Sequence, residues 1–228
     1  MKSNGVVKGE IDPSRIRGLL FDIDGTLSDT DDRMVDRLTR SLSPVAWLFR
    51  DRNPKRFARW VVMAVETPAN FLYNLMDRLG VDAFFSKALS RFSEGKRCAK
   101  ESHERFWLIP GSKEMLVALK FRYRLAVVSA RDMETTTQFL EHFNLLDFFE
   151  VVVTAQSSEH TKPYPDPIHL AAKELGLEVE QCLMIGDTVV DIAAGKAAGA
   201  QTAAVLCGFG TARELIRAGA DLILTSTT

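Results

Sequence analysis

Four aspartates, Asp22, Asp24, Asp187 and Asp191, with Ser129, Arg131 and Lys162, are the side chains whose types and spacing point to chemistry. Asp22 and Asp24 stand two apart at the end of a short apolar run, residues 18–23, the first inside it and the second just past it. Asp187 follows a second apolar run, 182–185, and Asp191 lies one helical turn further on, so the two share a side if a helix begins there. Ser129 and Arg131 come after a third run, and Lys162 stands in the loop after a fourth. Carboxylates crowded in one place repel one another, so a cation belongs among them. An all-oxygen ligand set favours a hard ion such as Mg2+. Lys162 offsets a further part of the charge.

Those runs must be strands of one sheet for the residues to meet. Residues 18–23 are too short for a helix and stop at Asp24-Gly25-Thr26, which reads as a buried strand ending in a turn. From 112 onward the pattern alternates: helix 112–121, strand 124–128, helix 133–143, strand 150–154, helix 167–175, strand 182–185, helix 189–198, strand 202–206. Short buried strands alternating with helices predict a doubly wound, mostly parallel α/β sheet covered on both faces. Asp166-Pro167 reads as an N-cap with proline at the first helical position, and Gly176 as the stop. Residues 222–224 read as an edge strand, and the first 17 residues as a polar lead-in with no secretory signal. In such a sheet, ligands bind outside the carboxyl ends of the strands, and every reactive side chain named above falls on that edge.

The motifs resemble those of the haloacid dehalogenase-like (HAD) hydrolase superfamily. Phe21-Asp-Ile-Asp-Gly-Thr-Leu27 is similar to its first motif, Val127-Val-Ser129 to its second, Lys162-Pro-Tyr-Pro-Asp-Pro167 to its third and Ile185-Gly-Asp-Thr-Val-Val-Asp191 to its fourth. Four motifs in order, each at an expected strand end, are a specific match. Asp29 and the position of the segment after the first strand resemble the phosphoglycolate-phosphatase-like branch, which carries a helical cap there. The resemblance implies a Mg2+-dependent phosphatase acting on a small phosphorylated metabolite. Asp22 would be the nucleophile that takes the phosphoryl group, and Asp24 the general acid and base. Ser129 would hold a phosphoryl oxygen, and Lys162 would pair with both the nucleophile and that group. Gly25, Thr26, Ala130 and Arg131 would line the phosphate site, with Arg131 equally suited to a helix start. Mg2+ would fall to Asp22, the carbonyl of Asp24, Asp187 and Asp191, the last through water or by orienting Lys162. An acid at position 24 disfavours a dehalogenase or a phosphonatase. A sugar phosphomutase, or a non-catalytic module that binds a partner through its cap, are the alternatives.

The intervening segment is expected to be the cap. Residues 30–106 carry helical periods, for example Met34, Leu38 and Leu42, broken at prolines 44, 54 and 68. This gives a catalytic core of 1–29 and 107–228 and a helical cap of 30–106. The overall charge of −1 conceals an asymmetry, because 30–106 holds fifteen basic and ten acidic residues while the rest holds fourteen and twenty. Arg50, Arg52, Lys55, Arg56 and Arg59 make a basic cluster that would draw an anionic ester toward a carboxylate-rich site. The chain as a whole lacks the basic balance, aromatic pattern or reader motif of a nucleic-acid binder. Its longest weakly charged stretch, 60–76, is interrupted by Glu66 and Pro68, unlike a membrane span. Three cysteines without a paired motif point to free thiols in the cytoplasm, and the histidines show no zinc spacing. Oligomeric state has no signature here.

Overall fold

The computed structural model describes residues 6–29 and 106–228. The expected cap, with its basic cluster, therefore lies outside the described residues, apart from Phe106, whose ring packs edge-on against Phe139 at 5.7 Å.

Among the described residues, seven strands form one sheet: β1 Val6–Gly9, β2 Gly18–Phe21, β3 Arg124–Val128, β4 Val151–Val153, β5 Cys182–Gly186, β6 Gln201–Val205 and β7 Leu222–Leu224. Their spatial order is β1-β7-β6-β5-β2-β3-β4, with β2 to β7 parallel and β1 antiparallel to β7. Among the described residues, five α-helices follow in chain order: α1 Ser112–Leu119, α2 Met133–His142, α3 Asp166–Glu174, α4 Val189–Ala198 and α5 Ala212–Arg217. The expected doubly wound α/β fold is the observed one.

The sheet stays planted because its strands are apolar on both faces, as parallel strands must be when helices cover them. Leu19, Phe21, Leu125, Val127, Leu183 and Ile185 pack on one side with Leu116 of α1 and Phe139 and Leu140 of α2. Leu20, Ala126, Val128, Val151, Val153 and Met184 pack on the other with Ile168, Ala171 and Ala172 of α3 and Ala194 and Ala198 of α4. Burial of each large aliphatic side chain stabilises by roughly 1.5–3 kcal/mol. The crossovers reverse between β2 and β5, so the ligand crevice of the fold falls at their carboxyl ends, beside Asp22 and Asp187.

Three expectations need correction. The lead-in is not wholly irregular, since residues 6–9 form β1 on the outer side of β7. For the same reason β7 is not an edge: it lies between β1 and β6. The third helix begins one residue earlier than expected, with Pro165 at the N-cap, so Pro167 stands at the second helical position. The short helix α5, capped by Thr211 and Glu214, was not anticipated. Among the described residues, no helix is long and apolar enough to cross a membrane.

Candidate active site

Asp22 is the residue at which β2 leaves the sheet. Its N–H still donates to Ile185 O of the neighbouring β5, 2.9 Å, which fixes the backbone while the side chain turns into the crevice. There Lys162 donates to Asp22 Oδ1 at 2.7 Å, to Asp191 Oδ1 at 2.6 Å and to Val128 O at 2.9 Å. The three protons of one buried ammonium are thus spent on three fixed acceptors. Burial works against the charge on Lys162, but the carboxylates of Asp191 and Asp22 outweigh it and raise the amine above its ordinary value. Asp22 itself is pushed up to about 7, first by burial and then by Asp191 and Asp24, with Lys162 pulling the other way. Among the described residues, no hydrogen bond holds Asp22 Oδ2.

Asp191 is placed by the start of α4. Thr188 caps that helix, and its N–H and hydroxyl both donate to Asp191 Oδ2, at 3.0 and 2.6 Å. Such a reciprocal cap satisfies helix-end donors and fixes the side chain. Both oxygens of Asp191 are therefore engaged, one by the cap and one by Lys162, which fits an orienting role.

Asp187 follows β5 and is fully buried. Phe209 N–H donates to its Oδ2 at 2.6 Å, whereas its Oδ1 is buried with no hydrogen-bond partner. Burial, then the charges of Asp191 and Asp22, push this carboxyl well above its usual range. The loop after β6 wraps it so closely that a Cβ on Gly208 would overlap Asp187 Oδ2, and one on Gly210 would overlap Asp187 O. Glycine is required there by space. Asp22, Asp187 and Asp191 each offer a carboxylate oxygen within 4.8 Å of the others. An orphaned buried oxygen in a set of hard oxygen donors fits a divalent cation such as Mg2+, because an unpaired buried acceptor is otherwise costly.

Asp24 turns its carboxylate away from that cluster to Arg131. The guanidinium pairs with it as a fork, Nε to Oδ2 at 2.6 Å and a second nitrogen to Oδ1. The peptides between Asp22 and Asp29 form a tight loop in which the N–H groups of Thr26, Leu27 and Ser28 all reach Ile23 O. Gly25 sits at φ 72°, a conformation that favours glycine. The Thr26 hydroxyl is fully buried without a partner, and its amide is spent on Ile23 O, so neither group faces solvent. Ser129 is buried, and its Oγ accepts from Arg131 N–H at 3.1 Å, leaving its own proton to donate. Ala130 between them is exposed.

The structure thus gathers Asp22, Lys162, Asp187 and Asp191, with Ser129 on the neighbouring strand end and Asp24 paired to Arg131. Sequence reasoning passed over four contributors. Thr188 was legible as a capping box four residues long. The Gly208-Phe209-Gly210 loop lies past a strand end, where the same filter applies, but a backbone donor has no residue signature. Thr227, whose hydroxyl donates to Thr26 O at 2.6 Å, and Cys207, whose thiol donates to Gly25 O at 3.3 Å, brace the loop after Asp22 from far along the chain.

Fold, carboxylate cluster and buried lysine define a class, and the sequence profile of the haloacid dehalogenase-like hydrolases matches residues 19–205. The chain belongs to this family. Within it, the chain resembles phosphoglycolate phosphatase of Nitrosococcus oceani, 28% identical over 91% of this chain and 92% of that one. It is also similar to pyrophosphatase PpaX of Bacillus velezensis, 30% identical over 84% of this chain and 83% of the relative. Among solved structures, a predicted phosphatase from Clostridium acetobutylicum shares the fold with a TM-score of 0.65 at 22% identity, covering 92% of this chain and 94% of the other.

Proposed function

We propose that the chain is a Mg2+-dependent phosphatase that hydrolyses a small phosphate monoester through an aspartyl-phosphate on Asp22. In the first step, an Asp22 oxygen forms a bond to phosphorus as the bond from phosphorus to the leaving oxygen breaks, and a proton passes from Asp24 to that oxygen. In the second, water forms a bond to phosphorus, the Asp22 oxygen leaves, and Asp24 takes a proton from the water. Lys162 holds Asp22 Oδ1, which leaves Oδ2 as the attacking atom and prevents the carboxylate from turning. The Ser129 hydroxyl donates to a phosphoryl oxygen. Asp22, Asp187 and the carbonyl of Asp24 would hold Mg2+, with Asp191 set behind Lys162. When bound, the ion lowers the repulsion between the incoming phosphoryl group and the carboxylates.

The observation that carries this reading is a buried ammonium shared by Asp22 and Asp191 beside the orphaned Asp187 oxygen. It leaves one carboxylate poised and a second in need of a cation. The relatives are a phosphoglycolate phosphatase and a pyrophosphatase, so phosphoglycolate and pyrophosphate head the list of substrates to test. The partner is a small phosphorylated metabolite, not nucleic acid or membrane, and the place of action is the cytoplasm, where Cys182 and Cys207 remain free thiols. Residues 30–106 form the cap that selects it.

The test is a comparison of kcat/KM across phosphorylated metabolites with Mg2+ and with EDTA. Turnover that needs Mg2+ and releases inorganic phosphate supports the reading. A folded protein inactive on every ester with metal present contradicts it, and transfer of phosphate between two positions of a sugar would mark a phosphomutase.

A further inference from the structure

The loop that follows Asp24 is gripped on both sides of its peptides. In a planar trans peptide the N–H and C=O point in opposite directions, so a peptide held at both groups keeps its plane. Three consecutive peptides send their N–H groups, those of Thr26, Leu27 and Ser28, to Ile23 O at 3.2, 2.8 and 2.8 Å. Their carbonyls therefore face away from Ile23, and each meets a donor on the far side. Gly25 O accepts from the Cys207 thiol at 3.3 Å, Thr26 O from the Thr227 hydroxyl at 2.6 Å and Leu27 O from Ile109 N–H at 2.8 Å.

The middle grip is the shortest of the three and comes from a residue 201 positions away. Thr26 is fully buried, so its carbonyl lies out of reach of solvent. The hydroxyl of Thr227 has one proton, and a carbonyl can only accept, so that proton is committed to Thr26 O. Cys207 Sγ lies 3.4 Å from the same hydroxyl oxygen, which ties the donors of Gly25 O and Thr26 O to each other. Thr227 also borders an apolar groove with Phe21, Ile185, Val205 and Leu224, where a valine of the same shape is accommodated.

We infer that Thr227 is a positioning residue for the backbone carbonyl of Asp24. This rests on the Mg2+-dependent reading above, in which that carbonyl is a metal ligand, and deepens it. The peptide that bears the Asp24 carbonyl is held on its other side by Gly25 N–H, which donates to Ser28 O at 2.9 Å. Between that peptide and the gripped ones stands Gly25 alone, at φ 72°. Glycine is permissive in both torsions, so the direction of the Asp24 carbonyl is kept by the neighbouring peptides and not by local sterics. Releasing Thr26 O lets its peptide rotate, and the Asp24 carbonyl turns with it through Gly25. Partners behind a metal ligand act in this way, supplying direction without a ligand atom.

The test reads Mg2+ binding by calorimetry, without substrate. Thr227→Val keeps the shape and removes the donor; affinity is expected to fall about 10-fold, the low end of the 10- to 100-fold that such partners contribute. Thr227→Ser, which keeps the hydroxyl, should stay within about threefold of wild type. Asp221→Asn loses a carboxylate bound to Lys196 and Thr202 near the amino end of β6, away from this loop. It should leave Mg2+ affinity within about twofold, so lost stability alone does not produce the effect. In EDTA, the amides of Thr26, Leu27 and Ser28 should exchange faster in Thr227→Val than in the serine variant or Asp221→Asn. Should the valine variant not fold, Cys207→Ala takes its place: it removes the donor to Gly25 O and should weaken Mg2+ binding by about threefold or more. Unchanged Mg2+ affinity in the folded variant, or a serine variant as weak as the valine, would overturn the inference alone. A wild-type protein that binds no Mg2+ would overturn the metal reading, and this inference with it.

Discussion

Replacing Lys162 by methionine removes the ammonium that bridges Asp22 and Asp191. Both carboxylates are left buried, with Asp187 close by and only methionine in the place of the charge. Breaking a buried pair by truncating one partner costs about 3–5 kcal/mol, because the remaining charge keeps its desolvation penalty and loses its partner. For a chain of this size each kcal/mol moves Tm by roughly 2–4 °C, so Lys162→Met should lower Tm by about 6–20 °C in EDTA. Asp22 is raised to about 7, mainly by burial, so below neutral pH the variant can escape part of the cost by binding a proton there. The comparison belongs at pH 8, by urea unfolding with and without Mg2+. Magnesium should recover a larger share of stability in the variant than in the wild type, since a cation answers the same unpaired charge. A loss below about 1 kcal/mol at pH 8 in EDTA would refute the reasoning, because an ammonium that can be deleted so cheaply is not balancing two buried carboxylates.

Three further outcomes follow. Gly208→Ala places a Cβ on Asp187 Oδ2, so the loop must shift; about 1–3 kcal/mol of stability and a lowered Mg2+ affinity by calorimetry are expected, and unchanged affinity would dissociate that loop from the metal site. Asp221 gains a partner pair on folding: burial raises its carboxyl, but Lys196 and the N–H and hydroxyl of Thr202 outweigh this and hold it below the usual range. A lowered folded value stabilises above the unfolded carboxylate value of about 3.9 and is lost as pH falls through the folded one, so Asp221→Asn should cost about 1 kcal/mol at pH 7, and in denaturant titrations its difference from wild type should shrink as the pH is lowered below about 3.9. Replacing Arg52, Lys55 and Arg56 together by alanine should reduce kcat/KM more at low salt than at high salt, as long-range steering requires; equal effects would mean those residues act by contact or not at all.

What could be read from sequence depended on whether position or contact was needed. Strands β3 and β5 were legible because burial on two faces leaves runs such as Arg124–Val128, and helix α4 because the alternation of such runs with helical stretches calls for a helix after β5. Strand β1 was not, since its four residues sit in a polar segment and gain their ladder only from β7. Helix α5 is six residues long, too few for a period to show. In the site, Asp22, Asp24, Lys162 and Asp187 were legible as reactive types at strand ends. The fork between Arg131 and Asp24 was not, because nothing local links residues 107 apart, nor was the Phe209 amide on Asp187, because backbone donors are the same in every residue.

Trapping the phosphoryl group tests the central claim most directly. Protein mixed with a turned-over phosphate ester and Mg2+, quenched in acid within a turnover and digested, should yield one phosphorylated peptide, labile to hydroxylamine as an acyl-phosphate is, with the phosphate on Asp22. Asp22→Asn should give no such peptide and no turnover while unfolding at nearly the wild-type denaturant concentration. A phosphoryl group found on another residue, or near-normal hydrolysis by Asp22→Asn, would contradict the account.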